Sequence, residues 1–440
     1  MCAIVAPPLF NPNKHVMIKS SMTARRSEWI RQDWRIILFG FLLMFCSSPG
    51  QTYFIALFGG EIREAMSLSH GQFGALYSSA TLCSAFVLLW TGSLVDRVRL
   101  HWVTVIVSVG LVVSSWLMAA STGLVALFVA LFMLRQFGQG LTGMTSVTTM
   151  MRYVPAHRAK AGALSHMGYS TAEAILPSIV VAALVWLSWR EVWQWVGLIV
   201  LLVLPTIAVS LLASHRAKHA RSAKTQTVDQ TAHIADYQWT RGQVVKDPLF
   251  YLILPGLTCQ SLLYTGYMFH QVHLVEQKGW ALAMWASLYL VFSLTTIIMS
   301  FVLGSIVDRL GPLRVIPWVN VPMILGLVVL ASTDSIVGAA VFMICMAVST
   351  AGQAANSGPF YSTRYGNKHL GSIKSLGTFC MVLMTALSPI VLGLFIDAQV
   401  SMNVLAIGGA GYAILVSVMA MFGCRQAHLK PLPTESHFKS

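Results

Sequence analysis

Charged side chains are scarce in this sequence. Of its 440 residues only 10% are Asp, Glu, Lys or Arg, whereas 56% are hydrophobic, and the mean hydropathy is +0.69. A soluble globular domain carries about 25% charged residues. The chain therefore has too little polar surface to coat a soluble particle, and its composition predicts an integral membrane protein.

Motifs typical of several other protein classes are also missing. The seven cysteines are scattered singly without a CxxC pair, which argues against disulfides and zinc sites. There is no Walker A motif, no HExxH and no Ser/His/Asp set in the apolar segments. His270 and His273 form an HxxH pair, but two ligands do not make a closed metal site. We expect no enzyme activity, no cofactor and no metal.

Long apolar segments fill most of the chain. A bilayer core is roughly 30 Å thick and takes about 20 apolar residues to cross as a helix. None of the segments shows the alternation of a barrel strand, so the prediction is an all-α polytopic membrane protein with twelve transmembrane helices. The predicted spans are residues 34–58, 71–94, 102–121, 123–149, 160–185, 192–213, 248–274, 281–303, 313–331, 336–360, 371–395 and 402–423.

Lys and Arg gather on one side of these spans, in the N-terminal tail, the middle of the chain and the short loops between. The opposite side has only Arg63, Arg190 and Lys278. Because cytoplasmic loops retain basic residues, both termini are predicted to be cytoplasmic, in a plasma membrane of bacterial inner-membrane type. The net charge of +14 then faces anionic lipid, and no nucleic-acid partner is expected. We predict a monomer.

An internal repeat divides the chain into two halves. The segment Gly-Ser-Leu-Val-Asp-Arg at 92–97 recurs as Gly-Ser-Ile-Val-Asp-Arg at 304–309, an offset of 212 residues. Several other residues match at the same offset, so each half is predicted to be a six-helix bundle, related to the other as a parallel repeat. The predicted regions are a tail at 1–33, a bundle at 34–213, a linker at 214–247, a bundle at 248–423 and a tail at 424–440.

This architecture and the paired Gly-x-x-x-Asp-Arg loops resemble the major facilitator superfamily over the chain outside its tails. The resemblance implies secondary transport by alternating access, with the first, fourth, seventh and tenth helices lining a central cavity. The first loop departs from the family pattern, with Arg99 where the second copy keeps Gly311. The resemblance implies that the two loops form a cytoplasmic gate from Gly92, Asp96, Arg97, Gly304, Asp308 and Arg309. The alternative is that the charged residues of these loops are only solvated charges.

Two charges inside the predicted spans break the repeat. Arg135 is matched by Ala347, and Glu173 by Thr385. A charge at the bilayer centre costs about 2.5 to 3.5 kcal/mol, so each should face a cavity or a partner. The planar guanidinium of Arg135 suits a carboxylate, which suggests an anionic substrate. The alternative is the family's fourth-helix arginine, which serves coupling or packing whatever the substrate.

Glu173 is the candidate for proton coupling. His166 and Tyr169 lie on the same face of the fifth span, and a carboxyl in a low-dielectric cavity can exchange protons near working pH. The alternative is a static ion pair between Glu173 and Arg135 that neutralises both.

Polar side chains at helical spacing mark the predicted substrate site, because residues three or four apart share one helix face. The eighth span also has a shared face, which is interpreted as helix packing in preference to an aromatic cage; it carries Trp285, Tyr289, Phe292 and Thr296. The predicted substrate-binding residues are Arg135, Gln139 and Thr142 on the fourth span, Gln51 and Tyr53 on the first, Gln260, Tyr264 and Tyr267 on the seventh, and Gln353 and Asn356 on the tenth.

Together these features predict a secondary transporter of a small organic anion, resembling a carboxylate, that is driven by proton symport. Its partners are then the solute, protons and the lipid bilayer. One alternative is a proton antiporter that exports drug-like compounds, although the fifth helix lacks the Gly-Pro signature of such family members. An alternative of another class is a membrane sensor that has kept the transporter fold without transport.

Overall fold

The computed structural model of the protein describes residues 33–92, 98–154, 157–212, 238–366 and 369–429, which are mostly helical. Ten single helices and one bent pair are long and apolar enough to cross a membrane, and α6 completes the predicted twelve. The prediction of an all-α, twelve-helix chain is confirmed. The helices are α1 (Asp33–Gly50 and Thr52–Met66), α2 (His70–Thr91), α3 (Leu100–Ala120), α4 (Leu124–Tyr153), α5 (Arg158–Leu184), α6 (Trp189–Leu212), α7 (Pro248–Phe269), α8 (Leu282–Leu310), α9 (Pro312–Ser332), α10 (Ile336–Tyr365), α11 (Leu370–Asp397) and α12 (Met402–Leu429).

Each half forms a six-helix bundle, as predicted. In the N-terminal bundle α3 packs against α6 and α4, and in the C-terminal bundle α10 packs against α8 and α9 while α12 packs against α7. The bundles meet mainly along two helix pairs, α2 with α11 and α5 with α8. We call the end where α1 begins and α12 ends the inner end, and the opposite end the outer end.

The bundles are in close contact at the outer end. A Cβ on Gly74 would lie 2.4 Å from the carbonyl oxygen of Pro389, and one on Gly393 would lie 2.6 Å from that of His70. The backbones of α2 and α11 therefore touch at these small residues. Toward the inner end none of residues 85–91 is buried, and Gly377 is the only buried residue between 374 and 385. The crevice between the bundles is thus closed outside and open inside.

Helix α1 is broken near its middle and bends by 43°. Ser48–Gly50 forms a 3-10 turn, and Gln51 is extended with φ −89° and ψ 148° before the helix restarts at Thr52. The predicted span at 34–58 is therefore too short, because the chain resumes its helix after the break and continues to Met66. The matching Pro255-Gly256 step leaves α7 continuous, and Asn320 Nδ2 donates to the Gly256 carbonyl at 3.0 Å.

Helix α4 contains a π-helical segment, Leu134–Thr142, directly opposite this break. A Cβ on Gly50 would lie 2.2 Å from the carbonyl oxygen of Leu134, and one on Gly138 would lie 2.7 Å from Gly50 Cα. Only glycine lets the two irregular backbones approach so closely. Segments of π-helix are uncommon and are frequent at functional sites, and this one carries Arg135.

Two shorter helices lie outside the spans. Gln271–Lys278 follows α7 at the outer end, so the predicted span at 248–274 is wrong at its end, where the helix stops at Phe269. Arg241–Val245 precedes α7 at the inner end. The chain before α7 is fastened to the C-terminal bundle, because Trp239 N–H donates to the Tyr365 carbonyl at 3.0 Å and Asp247 pairs with Arg364 at 3.2 Å.

Candidate functional site

Glu173 lies on α5 at the centre of the molecule, where its side chain is 3% exposed. One carboxylate oxygen, Oε1, accepts a hydrogen bond from the hydroxyl of Tyr169 at 3.2 Å and a second from the hydroxyl of Tyr264 at 2.8 Å. Tyr169 is one turn earlier on α5, whereas Tyr264 belongs to α7 in the other bundle. Glu173 therefore links the two halves directly.

Aromatic rings surround this carboxyl. The ring of Tyr53 lies 5.9 Å from that of Tyr169 and 6.0 Å from that of Tyr289, while Tyr264 stacks on Phe292 with centroids 5.2 Å apart. We call these five side chains the aromatic cage. They come from four helices, α1, α5, α7 and α8, so both bundles contribute. Tyr289 and Phe292 are buried and packed between helices, as their spacing on α8 predicted, and they also belong to the cage, which was the alternative interpretation.

Gln271 closes the cage on its outer side. Its side-chain nitrogen donates to the Tyr53 carbonyl at 3.1 Å, and its Oε1 accepts from Trp285 Nε1 at 2.9 Å and from the Tyr289 hydroxyl at 2.8 Å. Gln271 is fully buried. Because Tyr53 is in the N-terminal bundle and the other three residues are in the C-terminal bundle, this layer also joins the two halves.

Arg135 is separate from this carboxyl. Its guanidinium is 2% exposed, donates from Nη1 to the Gly50 carbonyl at 3.0 Å, and lies 5.3 Å from the ring centroid of Tyr77. The break in α1 frees that carbonyl, since Phe54 N–H bonds to Gln51 instead. Arg135 Nε is buried with no partner, and among the described residues no ion pair joins Arg135 to Glu173.

The other residues predicted on α1, α4 and α5 divide into two groups. Gln139 is exposed, and His166 is exposed with its ring 5.5 Å from that of Tyr169. Thr142 is fully buried and donates to the Phe137 carbonyl within α4, while Gln51 donates to Ser47 at 3.2 Å. Gln139 and His166 are therefore accessible, whereas Thr142 is directed into the packed bundle.

The residues predicted on α7 and α10 mostly bond to each other's helix. Gln260 donates to Thr350 at 2.6 Å, and Gln353 donates to the Leu257 carbonyl and to Ser261. Asn356 is fully buried, and its Oδ1 has no partner. Tyr267 packs on Phe342 inside the C-terminal bundle, with centroids 5.9 Å apart. Of the predicted α7 residues, Tyr264 is the one in the cage.

A comparison with models of protein families shows to which family the chain belongs. The model of the Major Facilitator Superfamily matches residues 40–389. The chain belongs to the major facilitator superfamily. This confirms the resemblance predicted from the repeated loops, and with the fold it shows that the protein is a transporter and not an enzyme. A search of curated proteins finds no match.

Solved transporter structures share the fold of this superfamily member. A bacterial homolog to the human lysosomal transporter Spinster, in an inward-facing and unoccupied conformation, matches with a TM-score of 0.66 over 90% of this chain and 98% of its own, at 13% identity. The nucleoside transporter NupG matches with a TM-score of 0.67 over 89% of this chain and 98% of its own, at 14% identity. At such identities the likeness shows the fold alone.

The loops predicted as the family's cytoplasmic gate lie at the inner end. Gly92 is the C-cap of α2, whereas Asp96 and Arg97 fall outside the described residues. Asp308 and Arg309 are exposed in the last turn of α8, and Gly304 is one turn earlier. Within the described ranges, no group of three or more His, Cys, Asp or Glu could hold a metal ion.

Proposed function

We propose that this protein is a proton-coupled symporter of a small organic anion, in which Glu173 carries the proton and Arg135 attracts the anion. One observation carries the proposal. The two buried charges near the centre, one acid and one base, have separate partners and do not neutralise each other. Each can therefore be compensated by a different transported ion.

Proton binding at Glu173 changes the contact between the bundles. As a carboxylate its Oε1 accepts from both Tyr169 and Tyr264. A protonated carboxyl carries its own O–H donor, and its oxygens are weaker acceptors. Protonation thus weakens the Tyr264 bond, which must break when the bundles rock apart at this level.

Anion binding at Arg135 uses donors that the protein leaves spare. Nε has no partner, and Nη1 is held by one backbone carbonyl. A carboxylate accepts two parallel bonds from a guanidinium, so it competes well with the neutral Gly50 carbonyl. Gln139, exposed in the same segment, supplies a polar approach from the open crevice.

Coupling follows from the electrostatic cost of a half-loaded carrier. With the anion and the proton both bound, Arg135 and Glu173 are each compensated. With one of them missing, the site carries a net charge while the crevice closes, which costs several kcal/mol. The fully loaded carrier and the empty carrier, whose site charges each sum to zero, therefore change conformation most readily.

The test uses proteoliposomes that contain the purified protein and a trapped pH dye, with small carboxylates, phosphates, sugars and amines added outside in turn. We expect acidification with one class of anion, and loss of this signal in Glu173→Gln. Glu191→Gln, which removes an exposed acid near the outer end of α6, serves as the matched control and should keep the signal. Uphill accumulation by Glu173→Gln equal to wild type would overturn the assignment of Glu173.

A second candidate is export of cationic compounds by proton antiport. The observation that favours it is the aromatic cage around a single acid, because ammonium groups bind to aromatic faces and carboxylates. The same assay separates the two functions: alkalinisation with amines and no response to anions indicates antiport.

A further inference from the structure

A second contact between the bundles lies at the outer end, away from the central site. Asp397, the last residue of α11, accepts from Ser69 Oγ at 2.6 Å, from His70 N–H at 2.9 Å and from Gly71 N–H at 2.8 Å. Ser69 is the N-cap of α2. A carboxylate of the C-terminal bundle thus caps the start of a helix in the N-terminal bundle.

Three histidines surround this cap from both bundles. The ring of His70 lies 4.5 Å from that of His273 and 5.7 Å from that of His270. His270 Nε2 is 2.9 Å from the Pro389 carbonyl, at the point where α2 and α11 touch. We call Asp397 and the three histidines the outer cluster. Ser69, His70, His273 and Asp397 line a crevice of about 330 Å³ that is open at the surface.

We propose that the outer cluster is a proton-sensitive outer gate: capping by Asp397 holds the bundles together, and protonation of the imidazoles releases them. The inference rests on the alternating-access function proposed above, since this contact has to break whenever the crevice opens outward.

The closed gate is stabilised by charge. Three charge-assisted hydrogen bonds meet at Asp397, and a carboxylate at a helix N-terminus interacts favourably with the helix dipole. Loss of such bonds changes an equilibrium by about tenfold or more.

The histidines oppose the gate once they are charged, because His70 faces His270 and His273 across the boundary between the bundles. Arg63 adds a further positive charge on the N-terminal side, whereas Glu276 and Asp397 offset part of the repulsion. Burial lowers the pKa of His273, Glu276 partly opposes this shift, and Arg63 adds to it. In the hydrated open gate the imidazole regains its ordinary pKa. As the pH falls, the imidazoles of the open gate therefore bind protons before those of the closed gate, so acid favours opening.

The experiment measures the gate without transport. Spin labels at Val125 and Val337, exposed residues near the outer starts of α4 and α10, report the outer separation in lipid nanodiscs by pulsed electron resonance. The chain carries Glu173→Gln, so that the central carboxyl does not titrate, and its native cysteines are replaced. From about pH 7.5 to about pH 5.5, the range of imidazole titration, we expect the outer-open population to rise at least about fivefold.

Variants decide the assignment. His70→Gln with His273→Gln should abolish the pH response, and Asp397→Asn should raise the outer-open population about tenfold already at neutral pH. His369→Gln and Asp334→Asn are matched controls, because His369 lies at the inner end and Asp334 pairs with Lys278 inside the C-terminal bundle. A pH response that survives the double histidine variant, or an Asp397→Asn variant that stays closed, overturns the outer gate. Either result leaves the central symport mechanism untouched, because that mechanism is tested by flux.

Discussion

At the scale of single residues, the hydroxyl of Tyr264 is the contact that crosses between the bundles to Glu173. Tyr264→Phe removes this hydroxyl and keeps the stacking on Phe292. A hydrogen bond to a charged group is worth about 1.5 to 3 kcal/mol, so we expect proton-coupled uptake to fall roughly tenfold or more, with a shifted pH profile. Initial rates in proteoliposomes across pH measure this.

Tyr267→Phe is the matched control for that variant. Tyr267 lies on the same helix but packs on Phe342, and among the described residues its hydroxyl makes no hydrogen bond. We expect uptake close to wild type. Equal losses in the two variants would mean that Tyr264 acts through packing and not through Glu173.

Arg135 is the residue that tests the class of the solute. Arg135→Lys keeps the positive charge but removes the planar fork and the unpartnered Nε donor. We expect the affinity for the transported anion to fall about tenfold, with expression unchanged. Arg190→Lys, a change in the first turn of α6 at the outer end, is the control. Unchanged affinity in a direct binding measurement would remove Arg135 from the substrate site.

At the scale of the elements, the crossing of α1 and α4 depends on two glycines. Gly138→Ala places a methyl group against the Gly50 backbone, 2.7 Å from its Cα. Overpacking of this kind costs about 1 to 3 kcal/mol, so we expect a clearly lower melting temperature in detergent. Gly143→Ala, on the same helix with nothing within 4 Å of the new Cβ, should be neutral or stabilising. If Gly143→Ala lowered the melting temperature more than Gly138→Ala, the close approach of α1 and α4 would not limit the stability.

These elements also show what the sequence could predict. The twelve helices, the repeat and the central position of Glu173 follow from hydropathy, spacing and charge, which are local signals. The burial of Thr142 and the hydrogen bond from Arg135 to the Gly50 carbonyl could not be predicted in this way, because the π-helical segment changes the angle between successive side chains. Gln271 and Tyr289 contact Tyr53 although both are far from it in the sequence. The spacing of residues within one helix cannot predict such a contact.

At the scale of the whole molecule, the proposed alternating-access function predicts that the equilibrium between inward-open and outward-open states depends on how closely α2 approaches α11. Gly74→Val places a branched side chain against the Pro389 carbonyl, which a Cβ alone would approach to 2.4 Å. This substitution strains the conformation in which the outer end is closed, but not the conformation in which it is open. We expect the outer label pair at Val125 and Val337 to move apart at neutral pH.

Gly371→Val is the control for this variant, because it is on α11 at the inner end and a Cβ there meets nothing within 4 Å. It should leave the outer distance unchanged. A Gly74→Val protein that keeps the wild-type distance would show that the outer end closes by another contact.

The attachment of residues 238–247 to the C-terminal bundle bears on how the protein can be made. Trp239 is held by the Tyr365 carbonyl, and Asp247 by Arg364 and the Tyr365 hydroxyl, so this segment belongs structurally with α7 to α12. The gene can then be divided just before the codon for Gln238. Two polypeptides, encoded separately and produced in one cell, would each keep their own contacts and meet in the membrane along α2, α5, α8 and α11.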